Sequence, residues 1–108
     1  MSVYLIADIK VTDPGWVPDY AGNVHKLIEK HGGRYLSRSG NITTLEGAAS
    51  DSTLVAIIEF PSREALDRFA QDPDYAPYGA ARRAGSVSSF RMIDDSDIAG
   101  TIPYLEAG

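Results

Sequence analysis

The chain contains no cysteine. Disulfides, thiolate nucleophiles, zinc sites built on sulfur and iron–sulfur clusters are therefore excluded together. It has two histidines, His25 and His31, six positions apart, and on a helix that spacing leaves them about 120° out of alignment instead of stacked as an i, i+4 pair. With no HExxH and no acidic metal loop, no metal is expected. Long apolar runs are missing as well: nothing approaches the roughly 18 residues of a membrane-spanning helix. Met1-Ser2-Val3-Tyr4 carries no signal-peptide pattern. The expectation is a soluble cytoplasmic protein with no membrane partner. Basic charge is also scarce. Ten Lys and Arg face fifteen Asp and Glu, a net charge of −5; four of those acids, Asp94, Asp95, Asp97 and Glu106, lie beyond residue 93, and the remaining eleven leave the body at −1. Such a balance offers no field for duplex phosphates, so nucleic acid is not an expected partner. No P-loop, dinucleotide-binding glycine pattern or G-x-S-x-G elbow is present. No cofactor is expected, and no serine is singled out as a nucleophile.

What remains is one domain's worth of chain, 108 residues of which 44% are hydrophobic and 23% charged, well away from the disordered regime. Val3–Val11 alternates, with Val3, Leu5, Ala7, Ile9 and Val11 on one face and Tyr4, Ile6, Asp8 and Lys10 on the other, which predicts a strand. Thr12-Asp13-Pro14 stops it and opens a helix. From Val17 an apolar stripe runs through Tyr20, Val24, Leu27, Ile28 and His31, and Gly32-Gly33 ends it. Residues 34–39 and 42–46 are short β-prone runs around Gly40-Asn41 and predict a hairpin with its turn there. Leu54–Phe60 is the most hydrophobic run and predicts a central strand buried on both faces except at Glu59. Pro61-Ser62 caps a helix over Arg63–Gln71 with Ala65, Leu66, Phe69 and Ala70 inward; a third helix spans about 73–84 and a last strand 86–93.

The order is β-α-β-β-α-(α)-β, an α+β, ferredoxin-like split βαβ arrangement with an antiparallel sheet. Helices cover one face of such a sheet. The other carries Tyr4 and Ile6 beside Asp8, too apolar to be left in water. A second copy of the same sheet would cover it, giving a homodimer with a barrel-like interior. Residues 1–94 are expected to form this domain and residues 95–108 an acidic tail, either an arm across the partner anchored by Ile98, Ile102, Tyr104 and Leu105 or disordered.

Several segments in order carry a resemblance: Val11-Thr12-Asp13-Pro14, residues 32–36 (Gly-Gly-Arg-Tyr-Leu) with Arg38, Leu45-Glu46-Gly47, residues 58–62 (Ile-Glu-Phe-Pro-Ser), residues 72–75 (Asp-Pro-Asp-Tyr), and Arg82 before the last strand. Over residues 2–94 the chain resembles a bacterial family, domain-of-unknown-function family thirteen-thirty, within the dimeric α/β-barrel superfamily. The resemblance implies a ferredoxin-like dimer and no established activity. Pro18, Pro77 and a tail longer than the family pattern depart from it. The wider superfamily includes cofactor-free monooxygenases, lactone isomerases and haem-handling enzymes, but no residue set here matches those activities.

Six residues are candidates for chemistry. Asp8, mid-strand on the face a dimer would enclose, could serve as a general base, or it could sit in a wet cavity or pair with Lys10, Arg34 or Arg38. His25 could reach the cleft as an acid–base group or stand on the rim. Arg38 and Arg82 are the arginines in matched motifs, and their planar forks suit a carboxylate or phosphate unless they are spent on surface pairs. Tyr20 and Tyr75 could position a carbonyl or aromatic ligand or be ordinary core, and Trp16 reads as a packing lid. The leading expectation is a homodimer binding a small anionic or carbonyl-containing metabolite in a cleft between sheet and helices. The alternatives are a cofactor-free enzyme of isomerase or monooxygenase type using Asp8 or His25, and a structural dimer without chemistry.

Overall fold

A computed structural model describes residues 1–99. The elements are strand β1 (Val3–Val11), a 3-10 turn (Pro14–Trp16), helix α1 (Val17–Lys30), strands β2 (Arg34–Ser39) and β3 (Leu54–Phe60), helices α2 (Arg63–Gln71) and α3 (Ala76–Ala84), and strand β4 (Ser86–Asp94). The four strands form one sheet in the order β2-β3-β1-β4 with every pair antiparallel, the ferredoxin-like arrangement.

The alternation in β1 is obeyed: Val3, Leu5, Ala7 and Ile9 are buried, while Tyr4, Ile6 and Asp8 are half-buried. The buried face meets Ala56, Ile58 and Phe60 of β3, Val24 and Ile28 of α1, and Ala65, Leu66 and Phe69 of α2. Phe60, Ile28 and Val24 are the largest fully enclosed side chains, each stabilising the fold by roughly 1.5–3 kcal/mol. The caps follow the sequence signals. Asp13 Oδ1 accepts the Gly15 N–H at 3.1 Å, and Ser62 Oγ accepts the Ala65 N–H at 3.1 Å. Pro18 and Pro77 both fall in a first helical turn, where a missing N–H costs nothing. Gly32 takes φ +80° just past α1, a conformation that turns the chain into β2 and favours glycine.

Several expectations are corrected. Residues 42–46 form no strand. The partner of β2 is β3, with Ser39 opposite Val55, so residues 40–53 are a long connection with Leu45 fully exposed. Residues 42–46 have strand composition, but β3 takes the place beside β2 that the expected hairpin would have given them. Ala70 is exposed, because Phe69 takes the inward position in the last turn of α2. Finally, β3 is buried on the helix face only; Val55, Ile57 and Glu59 are half-buried on the other.

That other face carries Tyr4, Ile6, Val55 and Ile57, flanked by Val87 and Ile93 at 65% and 55% exposure. The third helix begins at Ala76 after Tyr75, later than the expected start near 73. Ile102, Tyr104 and Leu105 lie outside the described residues. No helix among the described residues is long and apolar enough to cross a membrane.

Candidate functional site

A gap opens in the core where the side chains become small. Leu5 faces Ile58 across the β1–β3 ladder, but the next inward pair is Ala7 opposite Ala56, and Ala21 of α1 lies above them. Three methyl groups cannot fill the layer that Leu and Ile fill next door. The result is a cleft of about 340 Å³ between the sheet and α1. Trp16 and Tyr20 wall it on the helix side, Tyr35 and Arg38 on β2, and Phe90 on β4. Its lining is apolar and aromatic with one charged group, Arg38.

The aromatic wall is held by specific contacts. Trp16 stands edge-on to Tyr20, with ring centroids 5.2 Å apart, and its indole N–H donates to the Gly85 carbonyl at 3.0 Å. The Tyr20 and Tyr75 hydroxyls share a hydrogen bond of 2.8 Å. Burial, reinforced by Tyr75, pushes the Tyr20 phenol well above its usual range, so Tyr20 stays protonated at neutral pH and acts as a hydrogen-bonding group. Tyr35 is also pushed up by burial, with the Arg38 charge working against the shift. The Arg38 guanidinium carbon lies 4.5 Å from the Tyr35 ring centroid, a cation–π contact at the mouth of the cleft.

The six candidate residues divide by location. Tyr20 and Arg38 line the cleft. Tyr75 stands behind Tyr20, buried at 7% exposure against Phe69, and reaches the site through its hydroxyl. Arg82 of α3 is buried to the same extent, with its guanidinium 4.2 Å from the centroid of Phe90, on the far side of the ring that closes the cleft. Asp8 and His25 do not join them. Strand alternation puts Asp8 on the opposite face of the sheet, where its Oδ1 accepts from the Ser52 hydroxyl. Lys10 pairs instead with Asp51 at 2.7 Å and Arg34 with Glu59 at 2.9 Å. His25 stays on its own helix, Nδ1–H donating to the Ala21 carbonyl at 3.3 Å. His31 donates through Nε2 to Asp72 at 2.8 Å, and Glu46 is exposed on the long connection. No three His, Asp or Glu side chains among the described residues are grouped to hold a metal.

The sequence signal for the cleft was a pair of small residues at core positions, Ala7 in one strand and Ala56 in another. Phe90 was equally silent, since nothing local marks it as the divider between the cleft and Arg82.

The fold has solved counterparts. A protein of unknown function from Rhodopseudomonas palustris, RPA0582, is similar with a TM-score of 0.77 and 17% identity, over 89% of this chain and 83% of that one. SnoaB, a cofactor-independent oxygenase from Streptomyces nogalater, is similar with a TM-score of 0.63 and 18% identity, over 89% and 94%. Rv0793 from Mycobacterium tuberculosis gives 0.55 and 20%, over 90% and 97%. At such identities the likeness establishes the fold alone, a ferredoxin-like α+β unit. No curated protein matches the chain. The family model described as Domain of unknown function (DUF1330) matches residues 2–96, nearly the whole folded body, and the chain belongs to that family.

Proposed function

We propose that the protein is a cytoplasmic homodimer that binds a small anionic or carbonyl-containing metabolite in the cleft between sheet and helices. The observation that carries this reading is the cleft itself: about 340 Å³ of apolar, aromatic-walled space with Arg38 at its edge, within the size range of small-molecule sites. Arg38 at the cleft's edge and Arg82 behind Phe90 are the two candidate anchors for the anionic or carbonyl end, and Tyr20, oriented by Tyr75, shapes the interior. The working domain is residues 1–94, followed by an acidic tail over residues 95–108. Support for the dimer is the apolar outer face of the sheet around Ile6 and Ile57, which a second sheet would cover.

A metabolite set screened by thermal shift tests the reading, since a ligand that binds only the folded state raises its stability. Stabilisation of the wild-type protein, lost in Ala56→Leu where the larger side chain occupies the cleft, is the expected result. A set that stabilises neither protein overturns it.

A second reading is a cofactor-free enzyme of isomerase or monooxygenase type using Asp8 or His25. Its support is the fold shared with the cofactor-independent oxygenase SnoaB and the position of Asp8 on the face a second sheet would enclose. Turnover of a carbonyl substrate that disappears in Asp8→Asn or His25→Gln would favour it over simple binding.

A further inference from the structure

The described residues bury two charged side chains, Asp72 and Arg82, and their surroundings differ. Asp72 has Lys30 at 2.9 Å and His31 at 2.8 Å. Arg82 forms no ion pair among the described residues, and its buried Nε has no hydrogen-bond partner. An N–H donor taken out of water without an acceptor is unfavourable, and the stacking of the guanidinium on Phe90 supplies none. Among the described residues, Arg82 Nε–H is left short of an acceptor.

Space for one lies beside it. A second cavity of about 340 Å³ opens where α3 meets β4, lined by Arg82, Arg83, Ser86, Ser88 and Phe90 and by no carboxylate. Ser86 and Ser88 alternate onto the same face of the edge strand as Phe90. Ser86 Oγ donates to the Arg82 carbonyl at 2.5 Å, and Ser88 Oγ lies 2.6 Å from Ser86 Oγ. With the Ser86 hydrogen committed, Ser88 is the donor of that pair, and its hydroxyl is the one that can turn to an incoming oxygen. Phe90 is a wall of both this cavity and the cleft, so the two spaces are neighbours separated by one ring.

We propose that this cavity is an oxyanion compartment in which Arg82, Arg83 and Ser88 hold the carboxylate or phosphate of the ligand, while the ligand's apolar body lies in the cleft across Phe90. The inference rests on the cleft reading and gives it a substrate class: a flat apolar or aromatic skeleton with a single terminal oxyanion. Sugar phosphates and other densely polar metabolites do not fit, because the cleft would desolvate their hydroxyls without partners.

Amide chemical-shift titration of the full chain with 4-(2-naphthyl)butanoate, 3-(2-naphthyl)propyl phosphate, the neutral carboxamide 4-(2-naphthyl)butanamide and inorganic phosphate tests it, the three-carbon arm letting the oxyanion reach past Phe90. Both anionic aryl probes, or one of them, should move amides of the cleft floor at Ala7 and Ala56 together with those of residues 82–90. Whichever binds more tightly identifies the anion as carboxylate or phosphate. The carboxamide should move the cleft floor alone and bind at least about tenfold more weakly. Arg82→Met should abolish the preference for charge, and Arg68→Met, on the outer face of α2, should keep it. If Arg82→Met does not fold, Ser88→Ala decides, with an expected loss of about fivefold. Equal binding of anionic and neutral aryl probes, or a preference that survives in Arg82→Met, overturns the compartment and leaves the cleft reading standing. Aryl probes that move no cleft amide overturn both.

Discussion

The indole N–H of Trp16 donates to the carbonyl oxygen of Gly85 at 3.0 Å, tying the start of α1 to the turn between α3 and β4. The same carbonyl accepts the Thr12 and Asp13 N–H groups at 2.9 and 3.0 Å. A Cβ at position 85 would stand 2.3 Å from Trp16 Cδ1 and 2.9 Å from the Asp13 carbonyl oxygen. Close approach therefore requires glycine here, and one wall of the cleft depends on it.

Gly85→Ala should push the indole out of place and destabilise the protein by about 1–3 kcal/mol, the usual range for overpacking. Trp16 is the chain's single tryptophan, so urea unfolding followed by its fluorescence reads both effects. The expected outcome is a lower midpoint with a red-shifted native emission; an unchanged midpoint and spectrum would refute the contact.

The Tyr20–Tyr75 pair makes a prediction about alkaline pH. A phenol whose folded pKa is raised by burial contributes stability that is fully present below the ordinary value of about 10 and is lost as pH rises beyond it. Tyr20→Phe should cost about 1 kcal/mol at neutral pH through the lost hydrogen bond. It should also weaken the fall in stability above pH ~10, measured by denaturant midpoints across pH.

Asp72 makes the opposite prediction. Hydrogen bonds from His31 and Lys30 and from the Asp74 backbone N–H hold its carboxyl far below the usual range. Stability from this group is present above about pH 3.9 and is lost as pH falls toward the folded value. Asp72→Asn should lower the melting temperature at neutral pH and flatten its acid limb. A variant that tracks the wild type down the acid limb would remove Asp72 from the account.

The outer sheet face predicts the assembly. Ile57 sits opposite Ile6 on that face and is half-buried without a helix above it. Ile57→Glu should leave the circular dichroism of the chain intact while sedimentation shifts from dimer to monomer. A wild-type protein that sediments as a monomer at micromolar concentration would overturn the dimer itself.

Much of the fold was legible because its signals are local. Alternation over Val3–Val11 has one strand solution, since a one-residue slip would turn every buried side chain to the wrong face. Asp13-Pro14, Ser62 and Gly32 mark helix ends through hydrogen bonds and backbone angles within a few residues of themselves. Residues 42–46 show where that logic stops. Their β-prone composition is a condition for a strand but does not choose its partner: β2 pairs with β3, beyond residues 40–53, and its outer edge stays unpaired in the sheet.

The site was less legible. The matched motifs drew attention to Arg38 and Arg82, and helical spacing to Tyr20, yet the residues that make the cavity are Ala7 and Ala56, small side chains 49 positions apart that are adjacent only across a ladder. Asp8 drew attention as a carboxylate in a strand, and the pleat then put it on the face opposite the cleft.

The sequence by itself determined the four strands of the sheet, the helices between them, the antiparallel ferredoxin-like order and the family, though not that residues 42–46 stay out of the sheet, because periodicity, caps and turn residues act over short stretches of chain. Only the tertiary structure decided where the core is left unfilled and which buried arginine lacks an acceptor at Nε among the described residues. An empty volume and an unsatisfied donor are properties of what surrounds a residue, and at Ala7, Ala56, Phe90 and Arg82 the surroundings come from distant parts of the chain.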